Sequence, residues 1–587
     1  MHASVHYQVE AVNLHAHLYR ITLNIAAPAA KQTVSLPVWI PGSYLVREFA
    51  KNLQHLQAFQ TGKARTITQE DKCTWTVDCE ANVPLALTYE VYALDNSVRT
   101  AWLDASRGFF NGTSLCLRVH GQTQQKHILQ LMPVSGERSW QVATGLNPVK
   151  INKQGFGTYS AKDYDELVDC PVEMGTFWRG EFTACGVPHQ FVVAGALPSL
   201  DTARLLADTQ KICEAEIKFW HGPKGTVQHT PHKRYVFMLN AVDDGYGGLE
   251  HRNSTALICG RRDLPRIGDP KTSEGYTTLL GLISHEYFHT WNVKQLRPFE
   301  FAQYDYTQEN YTPLLWFFEG FTSYYDDLLL RRAGLMDDAA YFKLLNKTIN
   351  QVLQTPGRQV QTVAQASMDA WVKYYRQDEN TPNATVSYYT KGALVALCLD
   401  LTLRATSAHT LDDVMRGLWK RCQAGPMQEA DLLTVLQELS GRSWKKEIKS
   451  WVHSTAELPL RSLLSAQSVM VHDDAAQVAQ RLGLRTIDGP AGVQIKTVLR
   501  GGAAELAGLA SGDEWLGVEV GARGQGGSWR LTKLDDLTVL AGAEKRLTAW
   551  VSRDKRLLRL PLTLPPKSVT WRLEVQTPRS TAVWPAV

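Results

Sequence analysis

The sequence predicts a multidomain α+β protein: a β-rich first part, a mixed middle part that becomes mostly helical, and a further C-terminal domain. Three observations support this class. The chain has 587 residues, which is too many for one hydrophobic core. Through much of residues 1–180, hydrophobic and polar residues alternate as they do in strands. From residue 311 to about 455 the hydrophobic spacing is helical instead, with proline-bearing breaks.

Residues 1–180 are predicted to form an N-terminal β-sandwich. Segments 5–9, 17–23 and 85–91 alternate with a period near two, and turn residues separate such runs. The segment LPVWIPGSYLVREF at 36–49 is a rigid, aromatic loop, for which a structural role is the simplest interpretation.

Residues 181–455 are predicted to form a second domain, β-rich over 181–260 and helical over 270–455. Short apolar runs at 191–194 and 235–239 are typical of buried strands. Between them, residues 199–220 have the spacing of a helix.

The strongest chemical signal is the pattern His-Glu-x-x-His at residues 285–289. Residues four positions apart lie on one face of an α-helix. His285 and His289 can therefore direct two ring nitrogens at one cation, a geometry that suits Zn²⁺. Glu286 falls beside them, in position to accept a proton from water without binding the metal.

A helix is expected around this motif. The run 276–293 contains no proline and carries apolar residues at helical spacings. Ser273 and Glu274 suit its start, and Pro298 suits a stop. Because the sequence contains 17 histidines among 587 residues, the pattern can also arise by chance, and the neighbouring residues must decide.

A third metal ligand is expected, since a catalytic zinc usually takes three protein ligands. Residues 312–325 predict a second helix, with Thr312 as N-cap, Pro313 as first residue and Gly334 just after the end. Glu319 is the only acidic residue among the aromatic residues of its first turns, where a carboxylate is costly unless it is paired or bound. We predict Glu319 as the third ligand; a salt bridge at the edge of the core is the alternative.

The segments HEYFHTWNVK at 285–294 and WFFEGF at 316–321 resemble the glycyl aminopeptidase family. These are zinc metallopeptidases related to aminopeptidase N. The resemblance covers most of the chain and implies a thermolysin-like catalytic domain over 181–455. It also implies that the N-terminal domain packs against this domain and walls part of its cleft, and that glycine and alanine are the preferred N-terminal residues.

The segment GGLEH at 247–251 is a candidate substrate site. Its glycines permit close backbone approach, and Glu250 follows them at the start of a predicted strand. In aminopeptidase N relatives a Gly-x-Met-Glu-Asn element lies beside the zinc, and its Glu binds the free amino group of the substrate. The resemblance therefore implies substrate-binding roles for Gly247, Gly248, Glu250 and His251. The role of His251 stays open because it replaces Asn, and an ordinary salt bridge is the alternative for Glu250.

A second catalytic residue, in addition to Glu286, is expected just before the apolar helix that runs to Leu403. The relatives carry Tyr-x-Lys-Gly there, and their tyrosine stabilises the oxyanion, a donor that the chemistry requires. Tyr389 matches this position, with Tyr388 as the adjacent alternative and simple packing as another.

The partners of the histidine ligands are not determined by the sequence. Ser323 lies four positions after Glu319, where thermolysin-like enzymes often have Asp, and Asn292 lies three positions after His289. Both stay candidates.

Residues 456–565 resemble a PDZ domain. Leu482-Gly483-Leu484 is similar to the loop that binds a peptide C-terminus, and AAELAGL at 503–509 is followed by SGDEWL at 511–516 in the PDZ order. Either peptide binding or a purely structural role is consistent with this pattern. GQGG at 524–527 indicates a flexible insertion, and residues 566–587 form a short tail.

Composition limits the remaining possibilities. A net charge of +4 over this length indicates neither nucleic acid nor an anionic membrane as partner. No run approaches the roughly 18 consecutive apolar residues of a membrane span. The nine scattered cysteines, without a Cys-x-x-Cys pair, and the absence of a signal-peptide pattern predict a cytoplasmic protein. The oligomeric state is left open.

The expected function is that of a zinc aminopeptidase with one Zn²⁺ per chain, acting on peptides with a free N-terminus. One alternative is a PDZ-guided zinc endopeptidase, which would cleave N-terminally blocked substrates. The other is a non-catalytic PDZ scaffold with a vestigial peptidase fold.

Overall fold

The computed structural model describes residues 5–226, 228–521, 525–566, 569–575 and 584–585. Gly524 of the predicted insertion and most of the predicted tail 566–587 lie outside these residues. The chain forms two compact units, each built from three segments. The first unit comprises Met1–Thr312, Tyr325–Met336 and Met415–Leu432, and the second comprises Pro313–Tyr324, Asp337–Val414 and Leu433–Val587.

The N-terminal part of the first unit is built from three sheets. The largest has eight strands, in the spatial order Asn147–Ile151, Gly157–Ala161, His127–Leu131, Val5–Asn13, Leu18–Ile25, Leu85–Tyr92, Leu53–Gln60 and Lys63–Arg65. One four-stranded sheet has the order Gln141–Thr144, Val172–Gly175, Arg107–Phe110 and Ala101–Leu103. The other has the order Arg118–Val119, Lys31–Ser35, Thr74–Asp78 and Ile67–Gln69. Short helices complete it: Phe49–Asn52 (3₁₀), Gly112–Leu115 and Tyr164–Val168.

Alternating burial explains why these segments are strands. In Val5–Asn13 the side chains of Val5, Tyr7 and Val9 are buried, whereas their neighbours are only partly covered. Apolar residues of all three sheets join one core, together with Leu249 and Ala256 of the following sheet. The predicted β-rich N-terminal part is confirmed.

A five-stranded sheet follows. Its spatial order is Phe177–Ala184, Val187–Ala194, Tyr235–Val242, Ser254–Gly260 and Tyr246–Glu250. Strand Tyr235–Val242 is buried along almost its whole length, as expected for a central strand between parallel neighbours. Strand Tyr246–Glu250 lies at the edge and pairs antiparallel with Ser254–Gly260.

Two long helices of the first unit accompany this sheet, Thr202–His221 and Glu274–Phe288. Ser273 caps the second of them by accepting from the Tyr276 amide at 3.0 Å, as the sequence predicts. The helix ends at Phe288, before the end of the proline-free run 276–293 and well before Pro298, with His289 as its C-cap. Val293 has a φ of 141°, which is incompatible with a helix and uncommon for a β-branched residue.

The remaining elements of the first unit are short. They are the 3₁₀ helices Arg261–Asp263 and Phe299–Phe301 and the parallel strand pair Arg297–Pro298 and Pro426–Met427.

The second unit is mainly helical before residue 467, which confirms the predicted helical half. Its helices are Asp338–Leu353, Pro356–Gln359 (3₁₀), Val363–Met368, Ala370–Tyr374 (π), Thr381–Ala384, Tyr388–Thr406, Lys445–Trp451 and Leu460–Ala466. Three further helices have residues in both units: Leu315–Arg332, Leu411–Arg421 and Glu429–Ser440. None of the described helices has the length and apolarity to cross a membrane.

Helix Leu315–Arg332 begins two residues later than its sequence suggests. The Ser367 hydroxyl accepts from the Trp316 amide at 2.9 Å, so a distant residue satisfies one amide of the first turn. Its end agrees with prediction, because Gly334 has a φ of 73° just beyond Arg332.

A six-stranded sheet lies near the C-terminus. Its main order is Leu484–Gly489, Gly492–Val498, Glu514–Val520, Arg546–Arg553 and Arg556–Thr563, with Ser528–Arg530 beside Glu514–Val520. Helices Val478–Leu482, Ala503–Leu506 and Asp536–Ala541 accompany it, and Val469–Ala475 pairs separately with Val569–Val575. Its apolar residues form a core of their own, which includes Trp515 and Leu537.

Trp584, in the predicted tail, is an anchor of the second unit. Its side chain is fully buried against Tyr341 and Phe342. Its indole N–H donates to the Tyr324 hydroxyl at 3.0 Å, and this hydroxyl donates to Asp400 at 2.7 Å.

Trp584→Ala is expected to destabilise the protein by about 3–5 kcal/mol, because it empties a packed aromatic site and removes the hydrogen bond to Tyr324. The shift of the urea unfolding midpoint measures this. Trp529→Ala is the matched control, since Trp529 is 51% exposed. Equal shifts for the two variants would contradict an anchoring role.

Candidate functional site

The two motif histidines face each other at the end of helix Glu274–Phe288. His285 Nε2 and His289 Nε2 lie 3.1 Å apart, with ring planes at 87°. This is the arrangement expected from the i, i+4 spacing on a helix.

The other ring nitrogens of these histidines are held by acceptors. His289 Nδ1 lies 2.8 Å from the Asn292 carbonyl oxygen, and His285 Nδ1 lies 3.0 Å from Asp326 Oδ2. Because a carbonyl can only accept, His289 carries its proton on Nδ1 and a lone pair on Nε2. Burial raises the pKa of Asp326, and its hydrogen bond with His285 opposes this shift.

The donor set therefore fits a bound cation. Two imidazole lone pairs directed at each other at 3.1 Å repel unless a positive charge lies between them. Imidazole nitrogen with carboxylate oxygen is a donor set typical of catalytic zinc. Zinc-binding histidines usually donate their other ring N–H to an oxygen acceptor, and both Nδ1 atoms have such an acceptor here.

Sequence reasoning missed Asp326. The candidates were the Ser323 hydroxyl and the Asn292 side chain, whereas Asp326 and the Asn292 backbone carbonyl hold the rings. One signal was available: Asp326 follows Glu319 by seven residues, which places both on one face of helix Leu315–Arg332.

Glu319 is buried, with 2% exposure. The predicted third ligand belongs to the second unit, and its role as a ligand stays a prediction.

Glu286 lies against the edge strand Tyr246–Glu250. A Cβ atom at Gly248 would clash with Glu286 Oε1, so only glycine lets the carboxylate approach this closely. One ligand atom of each of Glu250, Glu286 and His289 lies within 4.8 Å of the others. The predicted base and the predicted amine-binding carboxylate are thus neighbours of the histidine pair.

Tyr389 is placed in the first turn of helix Tyr388–Thr406, which Ser387 caps. Burial and the nearby Glu319 raise the pKa of Tyr389 well above its usual value, so its hydroxyl stays protonated. Gly320 and Gly392 explain this proximity to Glu319, because a Cβ at Gly320 would lie 2.5 Å from the Gly392 Cα atom. The alternative, Tyr388, stacks on Tyr389 with ring centroids 4.8 Å apart.

A loop of the N-terminal part contributes to this site directly. Gly42, in the loop 36–49, has a φ of 90°. A side chain there would clash with Glu250, because a Cβ atom would lie 2.5 Å from Glu250 Oε1. This agrees with the expected N-terminal wall of the cleft.

A buried carboxylate of the N-terminal part holds the strand end beyond Glu250. Asp169 accepts from His251 Nδ1 at 3.1 Å, Arg252 Nε at 2.8 Å and Lys294 Nζ at 2.7 Å. Burial alone would raise the pKa of Asp169, but Lys294 and Arg252 hold it well below its usual range. No sequence signal identified Gly42 or Asp169 as neighbours of the site, because both contacts are long-range.

Comparisons with known proteins agree with these observations. Residues 6–176 match the model of the peptidase M61 N-terminal domain, and residues 278–395 match that of M61 glycyl aminopeptidase. No curated protein matches the chain.

Two of the solved structures that match this chain differ widely in their similarity to it. An aminopeptidase N family protein from Idiomarina loihiensis is 36% identical, covers 98% of both chains and has a TM-score of 0.91. A mutant M1 zinc metallopeptidase from Deinococcus radiodurans, bound to a Tyr-Ser-Ala substrate, is 14% identical, with a TM-score of 0.46 over 78% of this chain and 95% of that one.

Proposed function

Because this chain belongs to the M61 glycyl aminopeptidase family and is a peptidase, we propose that it is a zinc-dependent aminopeptidase. It removes N-terminal residues from peptides, preferentially the small residues glycine and alanine that the family resemblance implies. The single observation that carries the proposal is the pair of Nε2 atoms 3.1 Å apart, each ring held at Nδ1 by an acceptor.

In this proposal one Zn²⁺ per chain is held by His285, His289 and Glu319, in a thermolysin-like catalytic domain. When bound, zinc supplies a Lewis acid that makes water a nucleophile near neutral pH and polarises the substrate carbonyl.

The chain's own residues then perform the proton transfers. Glu286 accepts the proton of the attacking water and passes it to the leaving amine. Tyr389 donates a hydrogen bond to the carbonyl oxygen as that oxygen gains negative charge. The raised pKa of Tyr389 keeps this donor protonated through the physiological pH range.

The edge strand orients the substrate. Glu250 binds the free α-ammonium group through charge-assisted hydrogen bonds, which sets how far the scissile bond lies from the chain end. Gly247 and Gly248 have no side chains, which permits close approach to the strand backbone. His251 supports substrate binding from the strand end, where Asp169 holds its ring.

The test is hydrolysis of glycyl- and alanyl-anilides against their acetylated forms, with metal analysis of the purified protein. We expect one zinc per chain and a kcat/KM for the free amines roughly 10- to 150-fold above that for the acetylated forms. Protein that is metal-free and stays inert after zinc is added back would overturn the proposal.

Asp326→Asn is expected to lower zinc affinity about 10- to 100-fold, because an amide oxygen holds the His285 ring more weakly. Competition with a chromogenic chelator measures this. Ser323→Ala is the matched control on the same helix. If Ser323→Ala weakens zinc binding as much as Asp326→Asn does, Asp326 is not the important partner.

A peptide-binding function is proposed for residues 456–565 as a PDZ domain. Strand Leu484–Gly489 lies at an edge of its sheet, directly after Gly483, whose φ is 74°. An edge strand can accept a peptide C-terminus as an added strand. If this module guided an endopeptidase, acetylated substrates would be cleaved as well as free ones.

A cytoplasmic location is also proposed. All nine cysteines are free thiols, which is typical of a reducing compartment.

A further inference from the structure

An arginine of the N-terminal part reaches the edge strand beside the predicted base. Arg99 Nη2 donates to the Gly248 carbonyl oxygen at 3.0 Å, and its Nη1 lies 3.6 Å from the position of a Cβ at Gly247. The two glycines therefore make space for two side chains. Gly248 lets the Glu286 carboxylate approach, and Gly247 leaves room for the Arg99 guanidinium.

The guanidinium of Arg99 has N–H donors that no described acceptor uses. It is half-buried, and among the residues that the structure describes it forms no ion pair. Its Nε atom is buried without an acceptor in that same part of the chain. A half-buried, unneutralised arginine with spare N–H groups is a ready partner for an anion.

The backbone around Arg99 is rigid. The fully buried Asn111 donates its side-chain amide to the carbonyl oxygens of Val98 at 2.9 Å and Thr100 at 3.2 Å. The arginine is therefore held before any ligand arrives, which reduces the entropy cost of binding.

The distance along the strand from Glu250 to Gly248 indicates which anionic group of a substrate would reach Arg99. A substrate lying antiparallel along the edge strand, with its amine at Glu250, advances about 3.3 Å per residue. Two residues bring it level with Gly248, where Arg99 binds the strand. In a dipeptide, the group at this point is the C-terminal carboxylate.

We propose that Arg99 binds the C-terminal carboxylate of dipeptides and thereby makes them the preferred substrate class. The inference rests on the proposed aminopeptidase function and deepens it. Longer peptides present only a neutral carbonyl at this point, so they lose the charge-assisted contact. Tyr246, which shares a strand face with Gly248 and Glu250 and is 65% exposed, offers its ring to the side chain of the second residue.

The experiment compares kcat/KM for Ala-Ala and Ala-Ala amide in the zinc-loaded full chain. We expect the wild type to prefer the free acid by roughly 10- to 100-fold, the range of a hydrogen-bonded charge contact. In Arg99→Gln this preference falls to near one. Arg99→Lys retains part of it, because a point charge remains without the bidentate geometry.

Two controls separate the possible failures. Arg138→Gln removes the same charge at an exposed position of the N-terminal part and should keep the wild-type preference. Alanyl anilide has no carboxylate and reports the aminopeptidase function by itself. If the anilide is hydrolysed but Ala-Ala and its amide turn over equally, or if Arg99→Gln keeps the preference, the Arg99 assignment fails alone. If the anilide is not hydrolysed, both proposals fail.

Discussion

Glu286→Gln is expected to lower kcat by about 10²- to 10⁴-fold while zinc remains stoichiometric. The amide keeps the shape of the carboxylate but cannot accept the proton of the attacking water. Because Glu286 is not among the three predicted ligands, His285, His289 and Glu319, metal content should not change. Steady-state kinetics with alanyl anilide and metal analysis of the same preparation measure both effects.

A control on the same helix is available for this variant. Glu274 lies in the first turn of helix Glu274–Phe288, so Glu274→Gln removes an equal charge away from the histidine pair. We expect near wild-type kcat for it. A Glu286→Gln protein that keeps wild-type kcat would exclude Glu286 as the general base.

Glu250→Ala is expected to abolish the selectivity for free amines. Loss of charge-assisted hydrogen bonds to the α-ammonium group should lower kcat/KM for alanyl anilide by roughly 10- to 150-fold. The acetylated anilide, which has no ammonium group, should not lose turnover. The ratio of the two kcat/KM values therefore approaches one in the variant.

The isosteric variant Glu250→Gln separates charge from shape at this position. If charge binds the amine, Gln should behave like Ala, whereas a purely steric role would leave Gln close to wild type. Equal turnover of blocked and free anilides by the wild-type protein would contradict the exopeptidase assignment itself. The PDZ-guided endopeptidase would then be the better hypothesis.

Local elements of the site were predictable because their determinants are local. The Ser273 cap and the four-residue spacing of His285 and His289 lie within one helix, so sequence periodicity places them correctly. Gly334 marks the end of helix Leu315–Arg332 for the same reason.

Helix boundaries that depend on distant residues were predicted less well. In the first turn of helix Leu315–Arg332, the hydroxyl of Ser367, from another element, accepts from the Trp316 amide. Helix Glu274–Phe288 also ends before the proline-free run 276–293 does, and the Asn292 carbonyl then meets the His289 ring.

By itself, the sequence determined the order of β-rich and helical parts and the residue types that suit zinc chemistry. Tertiary structure alone decided what surrounds them: Asp326 behind His285, Gly42 against Glu250, Asp169 behind His251 and Arg99 on the edge strand. The physical reason is range. Periodicity and capping act over one or two helical turns, whereas these contacts join residues tens to hundreds of positions apart, which only the packed sheets and helices bring together.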